Sequence, residues 1–131
     1  MGKALADQFE VCARTFAEAD AALDEPLSEL IFAGPADRLT LTENTQPAIL
    51  TMSIAVYRLL EEKGVRPAFV AGHSLGEYSA NVAAGTMAFA DAVRHFRAAL
   101  AAREGRAVDD DMADLLFDFG KACNATFETR E

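Results

Sequence analysis

One motif constrains this sequence more than any other: Gly72-His73-Ser74-Leu75-Gly76, which follows the apolar run 68–71 and precedes a run of small residues. A G-x-S-x-G pattern between a strand and a helix is typical of a very tight turn, which holds the serine on strained backbone with its hydroxyl exposed. Both glycines are expected to be needed for space, because a side chain at either position would collide with the neighbouring strand or helix. The motif therefore predicts a nucleophilic Ser74. The alternative is an ordinary strand–turn–helix in which Ser74 caps the helix.

The start of the helix that follows this turn adds a second chemical feature. The first N–H groups of a helix have no partner within the helix, and they lie at the positive end of its dipole. Such donors suit the oxyanion that develops when a nucleophile attacks a carbonyl group. The turn is thus expected to supply both a nucleophile and hydrogen-bond donors for its reaction.

Composition limits the class of protein. The chain has 131 residues, of which 51% are apolar, so it has enough material for one globular domain with a modest core. The formal net charge of −9 argues against nucleic acid as a partner and gives no general attraction to anionic membranes. The most apolar stretch, residues 47–60, is too short and too interrupted to cross a membrane. With no signal peptide at the N-terminus, we expect a cytoplasmic location and no membrane association. Cys12 and Cys123 fit no metal or redox spacing, so no metal site is predicted.

Hydrophobic spacing predicts a chain rich in helices. An amphipathic helix is expected over residues 3–23, a short one over 27–32, and a longer one that Thr42 or Thr45 caps and that runs to about residue 63. The apolar composition of this third helix predicts that it is largely buried. Further helices are expected after the turn, over 89–103 and over 111–127. The only confident strand covers residues 68–72, and a single strand needs partners for its backbone. Either other strands exist that the pattern does not reveal, or the chain is a piece of a larger sheet, in which case exposed edges should promote association.

Two segments together resemble a known family. Thr45-Gln46-Pro47-Ala48-Ile49-Leu50 and the motif at Ser74, extended by Glu77-Tyr78-Ser79-Ala80, are similar to the malonyl-coenzyme A:acyl-carrier-protein transacylases. The same fold occurs as the acyltransferase domain of fatty-acid and polyketide synthases. The resemblance covers about residues 1–94 and implies an α/β class: a partial α/β-hydrolase-like core, helix-rich, in which one strand leads into a nucleophile elbow. Residues 1–94 would be part of the large acyltransferase subdomain.

The resemblance also implies a reaction. Members of this family transfer a malonyl group from coenzyme A to the phosphopantetheine thiol of acyl-carrier protein, in fatty-acid or polyketide biosynthesis. Ser74 would carry the malonyl group as an ester, and the Leu75 backbone N–H would be one oxyanion donor. His73 would line the acyl pocket, with Gly72 and Gly76 beside it. The coenzyme A thioester is a substrate, and no tightly bound cofactor is implied.

Several features of the family are not matched. The resemblance implies a glutamine as the second oxyanion donor, an arginine that binds the malonyl carboxylate, and a histidine base. Arg97, Arg103 and Arg106 lie near the expected distance for the arginine, but none of them stands in the family's motif. The two histidines are His73, whose side chain should diverge from that of Ser74, and His95, which could pair with Asp91. The sequence therefore predicts a truncated acyltransferase with impaired activity. A small serine hydrolase and a noncatalytic helical interaction module are the alternatives.

The C-terminal part, residues 95–131, is predicted to be a helical tail whose origin the sequence leaves open. Its apolar spacing resembles that of a tetratricopeptide repeat, carried by these residues: Ala92, Phe96, Ala99, Leu116, Phe119, Gly120 and Cys123. The alternative is a pair of amphipathic helices that share a common packing pattern. The run Asp109-Asp110-Asp111 is expected to be a solvated linker, because three adjacent side chains point in different directions and do not form a metal site.

Overall fold

Seven α-helices make up the regular structure of residues 1–103, which are the residues that this computed structural model describes. In chain order they are α1 (Lys3–Gln8), α2 (Glu10–Leu23), α3 (Leu27–Ala33), α4 (Ala36–Leu39), α5 (Thr42–Glu62), α6 (Leu75–Ala83) and α7 (Phe89–Arg103). Helices α2, α5 and α7 pack against one another and form the core, and α6 lies against α5 and α7.

The buried side of α2 follows the predicted spacing. Its buried residues are Val11, Cys12, Thr15, Phe16 and Ala19, which recur at intervals of three and four and so share one face. The ring of Phe16 is 2% exposed and meets Phe32 of α3 edge-on, with their centroids 4.7 Å apart. The sequence predicted one helix over residues 3–23, but Phe9 adopts extended backbone (φ −129°, ψ 118°) and divides it into α1 and α2. Local spacing therefore found the correct face and missed the break.

Helix α5 is less completely buried than its composition predicted. Seven of its residues are buried, and Leu50 and Ile54 stand at the centre of the core. Ile49 and Leu60 lie on its outer side and are 40% and 44% exposed. The predicted caps are also wrong, because the N-cap is Leu41 without a side-chain hydrogen bond, and Thr45 donates its hydroxyl to the carbonyl of Leu39. One apolar side of α5 thus has no cover among residues 1–103.

The predicted strand is absent from residues 1–103, which contain helices and no sheet. Residues 65–72 run as irregular chain between α5 and the turn, and Phe69 within this segment is 94% exposed. A strand exists only where a neighbouring strand accepts and donates its backbone hydrogen bonds, and no other part of the described chain does so. The α/β fold class is therefore wrong for this structure, which is helical. Association through exposed sheet edges stays a prediction.

The proposed division at residue 94 falls inside a continuous helix. Helix α7 runs from Phe89 through Arg94 to Arg103, and His95 and Phe96 on it are buried. The predicted helix over 111–127, the acidic run at 109–111 and most of the tetratricopeptide-like spacing lie outside the described residues. The two-part organisation, 1–94 and 95–131, stays a prediction. Within residues 1–103, none of the helices has the length and apolar character that crossing a membrane requires.

One hydrogen bond holds the C-terminal end of α6, and its removal should lower stability. The hydroxyl of Tyr57 on α5 donates to the carbonyl of Ala83 at 3.0 Å and lies 3.0 Å from Glu61 Oε1. We expect Tyr57→Phe to lower the urea midpoint, since the ring remains and the carbonyl of Ala83 loses its side-chain donor. Urea denaturation would measure this change, and an unchanged midpoint would show that water replaces the hydroxyl at no cost.

Candidate functional site

Ser74 stands at a sharp turn of the backbone directly before α6. Its dihedral angles are φ 55° and ψ −120°, and among residues 1–103 the only other non-glycine residue with positive φ is Asp24, at the end of α2. Residues in such sparsely populated regions typically cost about 1–3 kcal/mol, and they persist only where the surrounding structure fixes them. The backbone therefore has the strained geometry that the motif predicts for this serine.

Two hydrogen bonds between backbone groups three residues apart close the turn. The amide of Gly76 donates to the carbonyl of His73 at 2.9 Å, and the amide of Glu77 donates to the carbonyl of Ser74 at 3.0 Å. Ser74 occupies the N-cap position of α6, yet its side chain makes no capping hydrogen bond. The hydroxyl of this exposed residue is thus not committed to the helix, which is against the reading of Ser74 as a capping serine.

The two glycines of the motif differ in what surrounds them. A Cβ atom added to Gly72 would lie 1.9 Å from the carbonyl oxygen of Gly76 and 2.5 Å from the amide nitrogen of Glu77. Both atoms belong to the backbone, so neither can move without opening the turn. A Cβ atom on Gly76 would meet nothing within 4 Å in the described chain. The predicted need for space therefore holds at Gly72 and is wrong for Gly76 in this structure.

The first amide of α6 belongs to Leu75, which follows Ser74 directly. The N–H groups of a helix's first turn point outward along its axis and carry the positive end of the dipole. Leu75 packs its half-buried side chain against the hydrophobic core, which fixes this end of the helix. The first amide of α6 thus directly follows Ser74 in the chain, and its role as an oxyanion donor stays a prediction.

The two histidines have different surroundings. His73 is exposed beside Ser74, whereas His95 is only 4% exposed and lies within α7. Burial lowers the pKa of His95 below its ordinary value, so its neutral form is favoured at neutral pH. Asp91, four residues before His95 on the same helix, accepts a hydrogen bond of 2.7 Å from Arg94. The pairing of Asp91 with His95 stays a prediction.

Arg97, one of the candidate arginines, is occupied away from the turn. It forms an ion pair with Glu25 and donates to Asn44 Oδ1 at 3.4 Å. These residues line a cavity of about 550 Å³, whose wall also includes Glu29 and Arg38. Arg103 has no described side chain, and Arg106 lies outside the described residues. Among residues 1–103, no group of histidine, cysteine, aspartate or glutamate side chains could hold a metal ion.

Tyr78 follows the turn closely, and the sequence left two roles open for it: to face the acyl pocket, or to fix the turn by packing. Its ring contacts His95 and Phe96 of α7, with centroid distances of 5.2 Å and 4.3 Å. The one available signal was its spacing, since a residue four positions after Ser74 lies one helical turn above it. The identity of its partners on α7 could not be read from local spacing.

Comparison with known proteins assigns the family. Residues 1–113 match the acyl transferase domain. The chain belongs to this family. Among curated relatives of this acyl transferase domain, the malonyl CoA-acyl carrier protein transacylase of Bacillus subtilis (strain 168) is 58% identical over 93 residues, which are 71% of this chain and 29% of that protein. The transacylase of Escherichia coli (strain K12) is 53% identical over 91 residues, or 69% of this chain and 29% of that one.

Solved structures of the same family have a similar backbone. The acyl-carrier-protein S-malonyltransferase from Bartonella henselae superposes with a TM-score of 0.71 at 52% identity, over 74% of this chain and 32% of that one. A malonyl-transacylase in complex with its type II PKS acyl-carrier protein superposes with a TM-score of 0.70 at 46% identity, over 74% and 32% of the two chains. This acyl transferase chain thus spans about three tenths of the length of the relatives that it matches. The recognition of the family from the sequence is confirmed.

Proposed function

We propose that this chain contributes the nucleophile of a malonyl transfer from coenzyme A to acyl-carrier protein, with Ser74 as the residue that carries the acyl group. The observation that supports this role is the strained, exposed Ser74 at the start of α6, in a chain of the acyl transferase family. The malonyl-transacylases that it resembles are named for this reaction. Coenzyme A enters as the thioester substrate, and the carrier protein accepts the malonyl group.

The proposed reaction has two steps that balance. The Ser74 hydroxyl attacks the thioester carbonyl, a C–O bond forms, the C–S bond breaks, and coenzyme A leaves as a thiol with the serine proton. The thiol sulfur of acyl-carrier protein then attacks the ester carbonyl, a C–S bond forms, the C–O bond to Ser74 breaks, and the proton of that thiol passes to the Ser74 oxygen. In each step the Leu75 N–H donates to the oxyanion, and the dipole of α6 stabilises the negative charge.

The other motif residues have supporting roles in this proposal. Gly72 lets the backbone approach Gly76 closely enough to form the turn, and this contact holds Ser74 in position. His73, exposed beside Ser74, would border the malonyl group, and Gly76 would leave room above the first turn of the helix. The Leu75 side chain would favour malonyl over bulkier acyl groups, as the resemblance implies. A cytoplasmic location stays a prediction.

We infer that acylation of this chain by itself is slow. A serine needs a positioned base to lose its proton, whereas the side chain of His73 should diverge from its neighbour Ser74 and His95 is buried within α7. Loss of the base from a serine site lowers the rate by about 10⁴- to 10⁶-fold, while donors for the oxyanion and bound substrate preserve a residual reaction. The full rate would therefore require a positioned base in addition to Ser74 and the Leu75 amide.

Incubation with malonyl-coenzyme A tests the proposal. We expect a slow gain of one malonyl group per chain, detected by intact mass, with peptide mapping placing the ester on Ser74. Addition of acyl-carrier protein should then remove the label from the chain. Label on another residue, or no label at all, would contradict the proposal. Turnover of simple esters without retention of the acyl group would instead favour the serine hydrolase.

A further inference from the structure

Tyr78 connects the helix of the serine turn to the buried surface of α7. Its ring lies against two rings that are themselves buried, those of His95 and Phe96, with centroid distances of 5.2 Å and 4.3 Å. The interplanar angles of 41° and 40° place the ring obliquely across both neighbours. Aromatic contacts of this kind depend on the orientation of the rings, so they restrict how α6 can rotate or slide on α7.

Helix α6 packs mainly on α5 and more lightly on α7, where the Tyr78 ring lies. None of its residues is fully buried, and the side chains that pack against the core are the half-buried Leu75, Tyr78 and Val82. Its C-terminal end is held by the hydrogen bond from Tyr57 to the carbonyl of Ala83. Its N-terminal end, where Ser74 lies, depends on Leu75 and on the Tyr78 ring. A short outer helix without a fully buried residue belongs to the less stable parts of a fold.

We propose that Tyr78 is the positioning residue of the serine turn: its ring, held by His95 and Phe96, keeps the first turn of α6 in the orientation that Ser74 requires. The strained backbone at Ser74 stays in place only if the adjacent helix cannot shift to relieve it. Tyr78 lies one turn from Ser74 and acts through the helix backbone, without contact to the reacting atoms. The inference rests on the proposed function for its effect on acyl transfer, whereas its effect on the turn is independent of that function.

Hydrogen exchange of two amides measures the turn directly in the full chain. The Gly76 and Glu77 amides form its two hydrogen bonds, so their exchange reports its opening. Tyr78→Leu removes the flat ring and keeps apolar bulk. We expect it to accelerate this exchange by about tenfold, because the loss of one aromatic contact favours opening of the turn by about that factor. Tyr78→Phe keeps the ring and removes only the hydroxyl, so its exchange should lie closer to the original rate than that of Tyr78→Leu, since the contact depends on ring geometry.

Phe32→Leu is the matched control. Phe32 is another half-buried ring in an edge-on aromatic pair, and its partner is Phe16 of α2. Its loss should lower global stability to a similar extent and leave the Gly76 and Glu77 amides unchanged once that global change is subtracted. Equal acceleration in Phe32→Leu, or unchanged exchange in Tyr78→Leu, would overturn the positioning role of Tyr78.

Labelling of Ser74 by malonyl-coenzyme A separates this inference from the proposed function. If Tyr78→Leu opens the turn and slows labelling, while Tyr78→Phe restores both, the positioning role extends to acyl transfer. If Tyr78→Leu opens the turn and no variant, including the original chain, is ever labelled, the proposed function fails while Tyr78 retains its role in the turn. If the turn opens while labelling continues at the original rate, the role of Tyr78 in acyl transfer is refuted.

Discussion

Ser74→Gly should eliminate malonyl labelling and at the same time make the chain more stable. The backbone at Ser74, with φ 55° and ψ −120°, is open to glycine and unfavourable for a residue with a Cβ atom. Relief of this strain should exceed the entropic cost of a new glycine, for a net gain of about 1 kcal/mol in the free energy of unfolding. Urea denaturation measures the gain, and intact mass after incubation with malonyl-coenzyme A measures the label.

Ser74→Ala is the control that separates the two effects. Alanine lacks the hydroxyl but keeps the Cβ atom, so labelling should disappear while stability stays near that of the original chain. Equal stability of the glycine and alanine variants would mean that no strain is stored at this residue. Label that persists in either variant would show that another residue is the nucleophile.

Gly72→Ala should disrupt the turn more severely than the same substitution at Gly76. The new Cβ atom would lie 1.9 Å from the Gly76 carbonyl oxygen, and a backbone atom at that distance cannot be moved aside by a change of rotamer. The chain can avoid the collision only by opening the turn, which displaces Ser74 from the first amides of α6. A displacement of about 1 Å in a reacting group can reduce a rate by about 100-fold, and we expect labelling of Ser74 to fall by at least that factor.

Gly76→Ala tests the same motif with the opposite expectation. Its Cβ atom would have open space around it, and alanine is the better helix former within α6. Stability and labelling should therefore be unchanged or slightly raised. If Gly76→Ala reduces labelling as much as Gly72→Ala does, a surface beyond the described residues contacts Gly76, and the comparison of intact-mass time courses would reveal it.

Features that depend on neighbouring residues could be predicted from the sequence. The buried face of α2 follows from side chains at intervals of three and four, and the turn at Ser74 follows from Gly72, which permits a close backbone approach. The residue that carries the proposed chemistry was therefore found without the structure. Membership of the acyl transferase family was recognised from two short segments for the same reason.

Features that depend on distant parts of a chain could not be predicted. Residues 68–72 have the composition of a strand, but a strand is a property of two chain segments, and the second one is missing from the described structure. Ile49 and Leu60 were expected to be buried on α5 because they are apolar, and their exposure depends on what else covers that side. The packing of Tyr78 on His95 and Phe96 joins residues from different helices, and no local pattern indicates such a pair.

Because no residue of α6 is fully buried, the helical content of the chain and the correct position of Ser74 can change independently. Most of the helical signal in a far-ultraviolet circular dichroism spectrum would come from α2, α5 and α7, which hold the core without it. A preparation could therefore give the circular dichroism spectrum of the folded chain while Ser74 is displaced. The reactivity of this protein has to be measured by labelling of the Ser74 hydroxyl.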